Sequence, residues 1–101
     1  MIHGDRWQVI SKFIRTYFKL SEIIWETTTL STLTLDQSLN YFISLLEERV
    51  ISETLRFWKT SEFFRLSLDL DRKDTSRKSH QVNKNYFRFY LSYKTRLGRH
   101  R

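Results

Sequence analysis

The sequence predicts an α+β fold, in which two amphipathic helices pack on a small antiparallel β-hairpin or sheet and a basic tail follows. Apolar residues recur every three or four positions in the first sixty residues, which is typical of helices. In two later segments they alternate with polar residues, which is typical of half-buried strands. The length of 101 residues predicts one small domain over residues 1–101.

The first predicted helix covers residues 5–26. Asp5 is the candidate N-cap, because Gln8 follows three residues later at the spacing of a capping box. The β-branched stretch at residues 27–33 favours extended backbone and is expected to end the helix. The apolar positions at helical spacing are Trp7, Ile10, Phe13, Ile14, Tyr17, Phe18, Ile24 and Trp25.

The second predicted helix covers residues 35–60. Thr34 and Gln37 form a second candidate capping box at its start. The predicted apolar stripe contains Leu39, Phe42, Ile43, Leu46, Val50, Thr54, Phe57 and Trp58. A stripe of this length predicts one helix that runs along most of the domain.

The alternating segments predict strands over residues 63–71 and 86–94. The first alternates from Phe64 to Asp71, and the second places Phe87, Phe89 and Leu91 on one face. Between them, residues 72–84 contain one apolar residue and predict a long basic loop. Residues 95–101 predict a basic tail.

Positive charge is concentrated in the last thirty residues. Residues 1–71 contain eight basic and ten acidic residues, a net charge of −2. Residues 72–101 contain ten basic residues and one acidic residue, Asp74, a net charge of +9. This asymmetry favours an anionic partner for the C-terminal third of the chain.

RNA is the anionic partner that we expect, because Arg and Lys neutralise phosphates and an aromatic ring among them offers a base a surface for stacking. Tyr90 is the candidate ring, on the predicted strand face that also carries Arg88 and Lys94. The candidate RNA-binding residues are Arg72, Lys73, Arg77, Lys78, Lys84, Arg88, Tyr90, Lys94, Arg96, Arg99 and Arg101.

No catalytic, cofactor or metal motif is present in the sequence. The chain has no Cys and only two Gly, Gly4 and Gly98, which excludes thiolate sites and glycine-rich phosphate loops. Its three His lack metal-ligand spacing. We therefore expect no enzymatic activity, no cofactor, no metal and no small-molecule substrate.

A membrane surface is the alternative partner for the first helix. Its aromatic residues are of the type found at membrane interfaces, and Arg6, Lys12, Arg15 and Lys19 lie between them. The same apolar stripe could instead pack in the core or dock on a partner protein.

The segment SLLEERV at residues 44–50 resembles the helix S-x-L-E-x-R-V of the universal third small-subunit ribosomal protein, a KH-domain protein at the mRNA entry. FRFYLS at residues 87–92 and RLG at residues 96–98 resemble that family's following strand and its end. The resemblance implies contacts with ribosomal RNA and with neighbouring proteins of the small-subunit head. The family's GxxG loop is absent here.

Residue usage suggests an AT-rich genome, because Ala and Pro, encoded by GC-rich codons, are absent while Phe and Tyr are frequent. Organelle, endosymbiont and virus genomes fit this composition. We expect a structural, RNA-contacting protein of a ribonucleoprotein, specifically a divergent or split organellar small-subunit ribosomal protein, located in the mitochondrial matrix or another organelle. The alternative is an accessory, non-catalytic subunit of a mitochondrial respiratory or ATP synthase membrane complex.

Overall fold

The protein is an all-α helical structure. A computed structural model describes the backbone of residues 2–28, 32–73 and 76–99, and the side chains in these ranges except those of residues 2–5 and 99. These ranges contain five helices and no strand: α1 (Ile2–Thr28), α2 (Leu35–Arg49), α3 (Ser52–Phe57), α4 (Ser61–Lys73) and α5 (Arg77–Arg99). The predicted α+β class is therefore wrong.

The first predicted helix is confirmed, but it is longer than predicted. It extends from Ile2 to Thr28, so Asp5 lies inside the helix and not at its N-cap. The inward face of α1 includes Phe13, Leu20 and Ile23, which are buried. This face is rotated away from Trp7 and Phe18, which the sequence placed on the same apolar stripe and which are exposed.

The start of the second helix is confirmed in detail. Thr34 Oγ1 accepts a hydrogen bond from the Gln37 backbone N–H at 3.2 Å, and Gln37 Oε1 accepts one from the Thr34 N–H at 3.0 Å. The predicted single helix over residues 35–60 is wrong, because α2 ends at Arg49. Val50 and Ile51 adopt extended backbone, which β-branched residues favour, before α3 begins.

Both predicted strands are helices. Residues 63–71 lie in α4 and residues 86–94 lie in α5. The alternation was ambiguous because the apolar residues also recur at helical steps: Phe63 is buried, Leu66 and Leu70 pack against the core, and Tyr86 and Tyr90 are buried one turn apart. Packing of these faces against α1 and α2 therefore decided between the two periods.

The predicted basic loop over residues 72–84 is also wrong. Residues 72 and 73 end α4, and residues 77–84 form the first two turns of α5. Ser76 caps α5, because its Oγ accepts a hydrogen bond from the Ser79 N–H at 3.2 Å. Within the predicted tail, residues 95–99 continue α5, whereas residues 100 and 101 lie outside the described ranges.

Aromatic rings from all parts of the chain form the core. The ring of Phe42 on α2 stacks on Phe89 of α5 at 5.0 Å and meets Trp58 edge-on at 5.5 Å. The ring of Phe63 on α4 contacts Phe13 of α1 and Tyr86 of α5 edge-on. Such pairs have preferred geometries, so they fix α5 against the other helices as well as burying apolar area.

Candidate nucleic-acid interface

Helix α5 concentrates positive charge without any carboxylate. It carries seven cationic residues and no Asp or Glu between Arg77 and Arg99. Arg77 and Lys78 occupy its first turn, where the helix dipole is already positive. The N-terminal half of α5 therefore has a potential that attracts anions.

Three of these cations form an exposed row. Arg77, Lys84 and Arg88 are separated by seven and four residues, which places them on one side of the helix with axial spacings of about 10 and 6 Å. All three side chains are exposed, and no carboxylate of the described residues lies within ion-pair distance of them. We call these three residues the α5 basic row.

Lys78 and Lys94 contact aromatic rings of the protein itself. The Lys78 Nζ lies 4.9 Å from the centre of the Trp25 ring on α1, and the Lys94 Nζ lies 5.4 Å from the centre of the Tyr90 ring. Both side chains are exposed. Their charges add to the positive electrostatic potential of α5, but Lys78 and Lys94 are not members of the α5 basic row.

Arg96 connects α5 to the start of α2. Its Nη1 donates a hydrogen bond to Asn40 Oδ1 at 2.7 Å, and its Nη2 lies 3.6 Å from Asp36 Oδ1. This predicted RNA-binding residue therefore contacts α2 at the protein surface.

The cations at the end of α4 precede the α5 basic row in the chain. Arg72 lies 3.8 Å from Asp69 one turn earlier, with both side chains exposed. Lys73 is exposed and has no ion pair with the described residues. Of the remaining candidates, the side chain of Arg99 and the whole of Arg101 lie outside the described part of the chain.

The structure places Tyr90 in the core, and this corrects its predicted role. Its side chain is 6% exposed and its ring stacks on Phe64 of α4 at 4.4 Å, with an interplanar angle of 13°. The prediction assumed a strand that turned Tyr90 outward with Arg88. On a helix these two residues are two positions apart and point in different directions, so no base can stack on Tyr90.

A partly buried polar network, which sequence reasoning missed, links the start of α5 to α1 and α4. Tyr17 of α1 donates a hydrogen bond from its hydroxyl to Asn83 Oδ1, and Asn83 Nδ2 donates to Asp71 Oδ1 of α4 at 3.1 Å. His80 Nδ1 lies 3.7 Å from the same carboxylate oxygen. The sequence alone did not indicate that Asn83 is buried, because Asn83 faces inward beside Val82 only when residues 77–99 form a helix.

Two cations on other helices, Arg49 and Lys12, form ion pairs with carboxylates of the protein. Arg49 forms a bidentate pair with Glu26 at 2.6 and 3.2 Å, and this hydrogen bonding lowers the pKa of Glu26 and raises that of Arg49. Lys12 donates to Glu53 at 3.0 Å, which lowers the pKa of that carboxyl group. Arg49 and Lys12 are therefore less available to an anionic ligand than the α5 basic row.

A second unusual surface lies on α1. Trp7 and Phe18 are 68% and 69% exposed, and Ile10, Ile14 and Trp25 on the same side are also exposed. We call these five residues the α1 apolar stripe. Large apolar side chains that are exposed together commonly mark an interaction surface.

Comparison of the chain with protein-family models, curated proteins and solved structures finds no match. Among the described residues, no helix has both the length and the apolar character needed to cross a bilayer. No three His, Asp or Glu side chains in the same residues are grouped so that they could hold a metal ion.

Proposed function

We propose that this chain is a non-enzymatic structural component of a ribonucleoprotein and that α5 lies along the phosphate backbone of its RNA. The observation that carries the proposal is the α5 basic row, three exposed cations on a helix without carboxylates, none of which forms an ion pair with the described part of the chain. Such a row can neutralise successive phosphates and release their counterions, which drives association with nucleic acids.

The contacts proposed here are with phosphates and not with bases. Every aromatic ring of α5 is buried or half-buried: Tyr86, Phe87, Phe89, Tyr90 and Tyr93. Without an exposed ring, α5 offers no stacking platform for unpaired bases. The helix would therefore recognise the charge and shape of folded RNA, largely independently of its sequence.

The particle that we propose is an organellar small ribosomal subunit, in the mitochondrial matrix or another organelle, with ribosomal RNA and neighbouring proteins as partners. The AT-rich residue usage supports the organelle. The ribosomal resemblance gives limited support, because its strand at residues 87–92 lies within α5. The part of the resemblance that still lies on a helix is residues 44–49, at the end of α2.

An accessory subunit of a respiratory or ATP synthase membrane complex is the second candidate. The α1 apolar stripe favours it, because subunits of such complexes use exposed apolar faces to contact other subunits or lipid. Co-sedimentation of natively purified protein with ribosomal RNA or with a membrane complex distinguishes the two candidates.

The test compares two variants with the same loss of charge. Lys84→Gln with Arg88→Gln removes two members of the α5 basic row. Arg56→Gln with Arg65→Gln removes two exposed cations from α3 and α4. Each protein is titrated with an RNA hairpin and with poly(U) at about 0.1 M salt.

We expect the α5 variant to bind both RNAs about tenfold more weakly than the wild type, since two phosphate contacts are lost. The control variant should lose much less affinity despite its equal net charge. Equal losses in the two variants would mean that only net charge matters, and a large difference between the two RNAs would contradict a phosphate-based contact.

A further inference from the structure

The α1 apolar stripe runs straight along its helix. Relative to Trp7, residues Ile14, Phe18 and Trp25 lie seven, eleven and eighteen positions further on, which correspond to about two, three and five helical turns. The stripe therefore follows the helix axis from Trp7 to Trp25 over about 27 Å.

A straight stripe fits a flat partner better than a supercoiled helix. A coiled-coil seam repeats every 3.5 residues and drifts around a straight helix, whereas this stripe keeps the 3.6-residue period of the helix itself. An interfacial helix lies in the plane of a bilayer and needs this kind of linear apolar face. The Trp residues at both ends are typical of the membrane interface.

The charges beside the stripe are mostly positive. Arg15 and Lys19 lie on one flank and Arg6 on the other, all exposed and without an ion pair among the described residues. Arg15 and Lys19 also line a groove of about 320 Å³ against the bend between α2 and α3. Glu22 is an exposed carboxylate about 60° around the helix from the stripe.

One end of the stripe opens into a second groove. Phe18 and Trp25 line a cavity of about 430 Å³ between α1 and the start of α5, together with Lys78 and the carboxylate of Glu22. The Lys78 ammonium group over the Trp25 ring places a cation directly beside the apolar surface. Apolar rings with cations at their edge complement the acyl chains and phosphates of an anionic lipid surface.

From this geometry we propose that α1 binds the surface of an anionic phospholipid bilayer, lying parallel to it with Trp7, Phe18 and Trp25 inserted among the lipids. The proposal does not depend on RNA binding by α5, because the α5 basic row and the α1 apolar stripe have no residue in common. Either surface can therefore be removed without changing the other.

The experiment measures flotation of the full chain with vesicles of phosphatidylcholine and phosphatidylglycerol at about seven to three, and with phosphatidylcholine alone. Trp7→Ser with Phe18→Ser shortens the stripe. Ile51→Ser with Leu97→Ser is the matched control, because those side chains are 71% and 46% exposed and lie outside both the α1 apolar stripe and the face of the α5 basic row. Circular dichroism verifies that each variant is folded.

We expect the wild type to bind the anionic vesicles with a blue shift of its Trp emission and to bind neutral vesicles at least about tenfold more weakly. The α1 variant should lose at least about tenfold in partition while the control variant keeps its binding. Both variants should keep the RNA affinity of the wild type.

Three results would overturn the proposal. The first is failure of the folded wild type to bind anionic vesicles. The second is equal loss of binding in the two variants, which would indicate nonspecific adsorption. The third is concentration-dependent dimerisation of the wild type that the α1 variant abolishes in sedimentation equilibrium, because a second copy of the chain would then cover the stripe.

Discussion

At the scale of single residues, Asn83 links three helices through side-chain hydrogen bonds while it is almost fully buried. Asn83→Ala would leave the Tyr17 hydroxyl and the Asp71 carboxylate without this partner. We expect the free energy of unfolding to fall by about 1–3 kcal/mol, measured by urea denaturation. Gln81→Ala, on the exposed side of the same helix, is the control, and a similar loss in both would contradict a role for the network.

The Glu26–Arg49 pair predicts a dependence of stability on pH. The pKa of Glu26 is lowered in the folded protein below its ordinary value of 4.5 because Arg49 hydrogen-bonds to it. The stabilisation is therefore complete well above pH 4.5 and is lost as the pH falls through 4.5 towards the lowered value. In thermal melts, Glu26→Gln should weaken the drop in Tm below about pH 4.5, and an unchanged acid profile would show that the pair adds nothing.

At the scale of elements, the sequence predicted one helix start correctly and one incorrectly, because Asp5 lies inside α1 and not at its N-cap. The capping box at Thr34 correctly located the beginning of α2, because that signal is local. The predicted strands at residues 63–71 and 86–94 are wrong, because a short alternating run of apolar residues fits both the two-residue period of a strand and the 3.6-residue period of a helix. Tertiary packing of Phe63 and Tyr86 against other helices settled this choice, and a local pattern contains no information about it.

The contribution of the Thr34 capping box to the stability of α2 can be measured by mutation. Thr34→Ala removes the hydroxyl that accepts the Gln37 N–H and should lower the free energy of unfolding by about 1 kcal/mol. Thr32→Ala changes an exposed residue just before the cap and should have little effect. If chemical denaturation gives equal values for the two variants, the capping box does not stabilise α2.

The candidate site was only partly predictable for the same reason. The charge asymmetry located the cations in the last thirty residues without any knowledge of the fold. Their division into an exposed row and a set that contacts the protein depends on the helical phase of α5. In the helix, Tyr90 faces the core and Arg96 contacts α2. Arg77, Lys84 and Arg88 face solvent.

At the scale of the whole molecule, one aromatic core connects α2, α5 and the turn after α3. Phe42 is fully buried between Phe89 and Trp58, so Phe42→Ala should create a cavity and cost about 3–5 kcal/mol. Trp7→Ala removes a larger but exposed side chain and should change stability by less than about 0.5 kcal/mol. A larger loss for Trp7→Ala in urea denaturation would mean that the exposed face of α1 is wrongly assigned.

The two proposed surfaces differ in their chemical character. The α5 basic row carries charge without exposed rings, and the α1 apolar stripe carries exposed rings with cations at its edges. The core between them holds both helices in fixed positions. A chain of this kind could contact RNA on one helix and a lipid surface on another.

The salt dependence of RNA affinity tests the central claim most directly. The wild type and the variant Arg77→Gln/Lys84→Gln/Arg88→Gln are titrated with one RNA hairpin over a series of salt concentrations. If the α5 basic row neutralises three phosphates, the slope of log K against log salt should become shallower in the variant by roughly two to three. Parallel lines for the two proteins would contradict the claim, because they would show that these three cations release no counterions on binding.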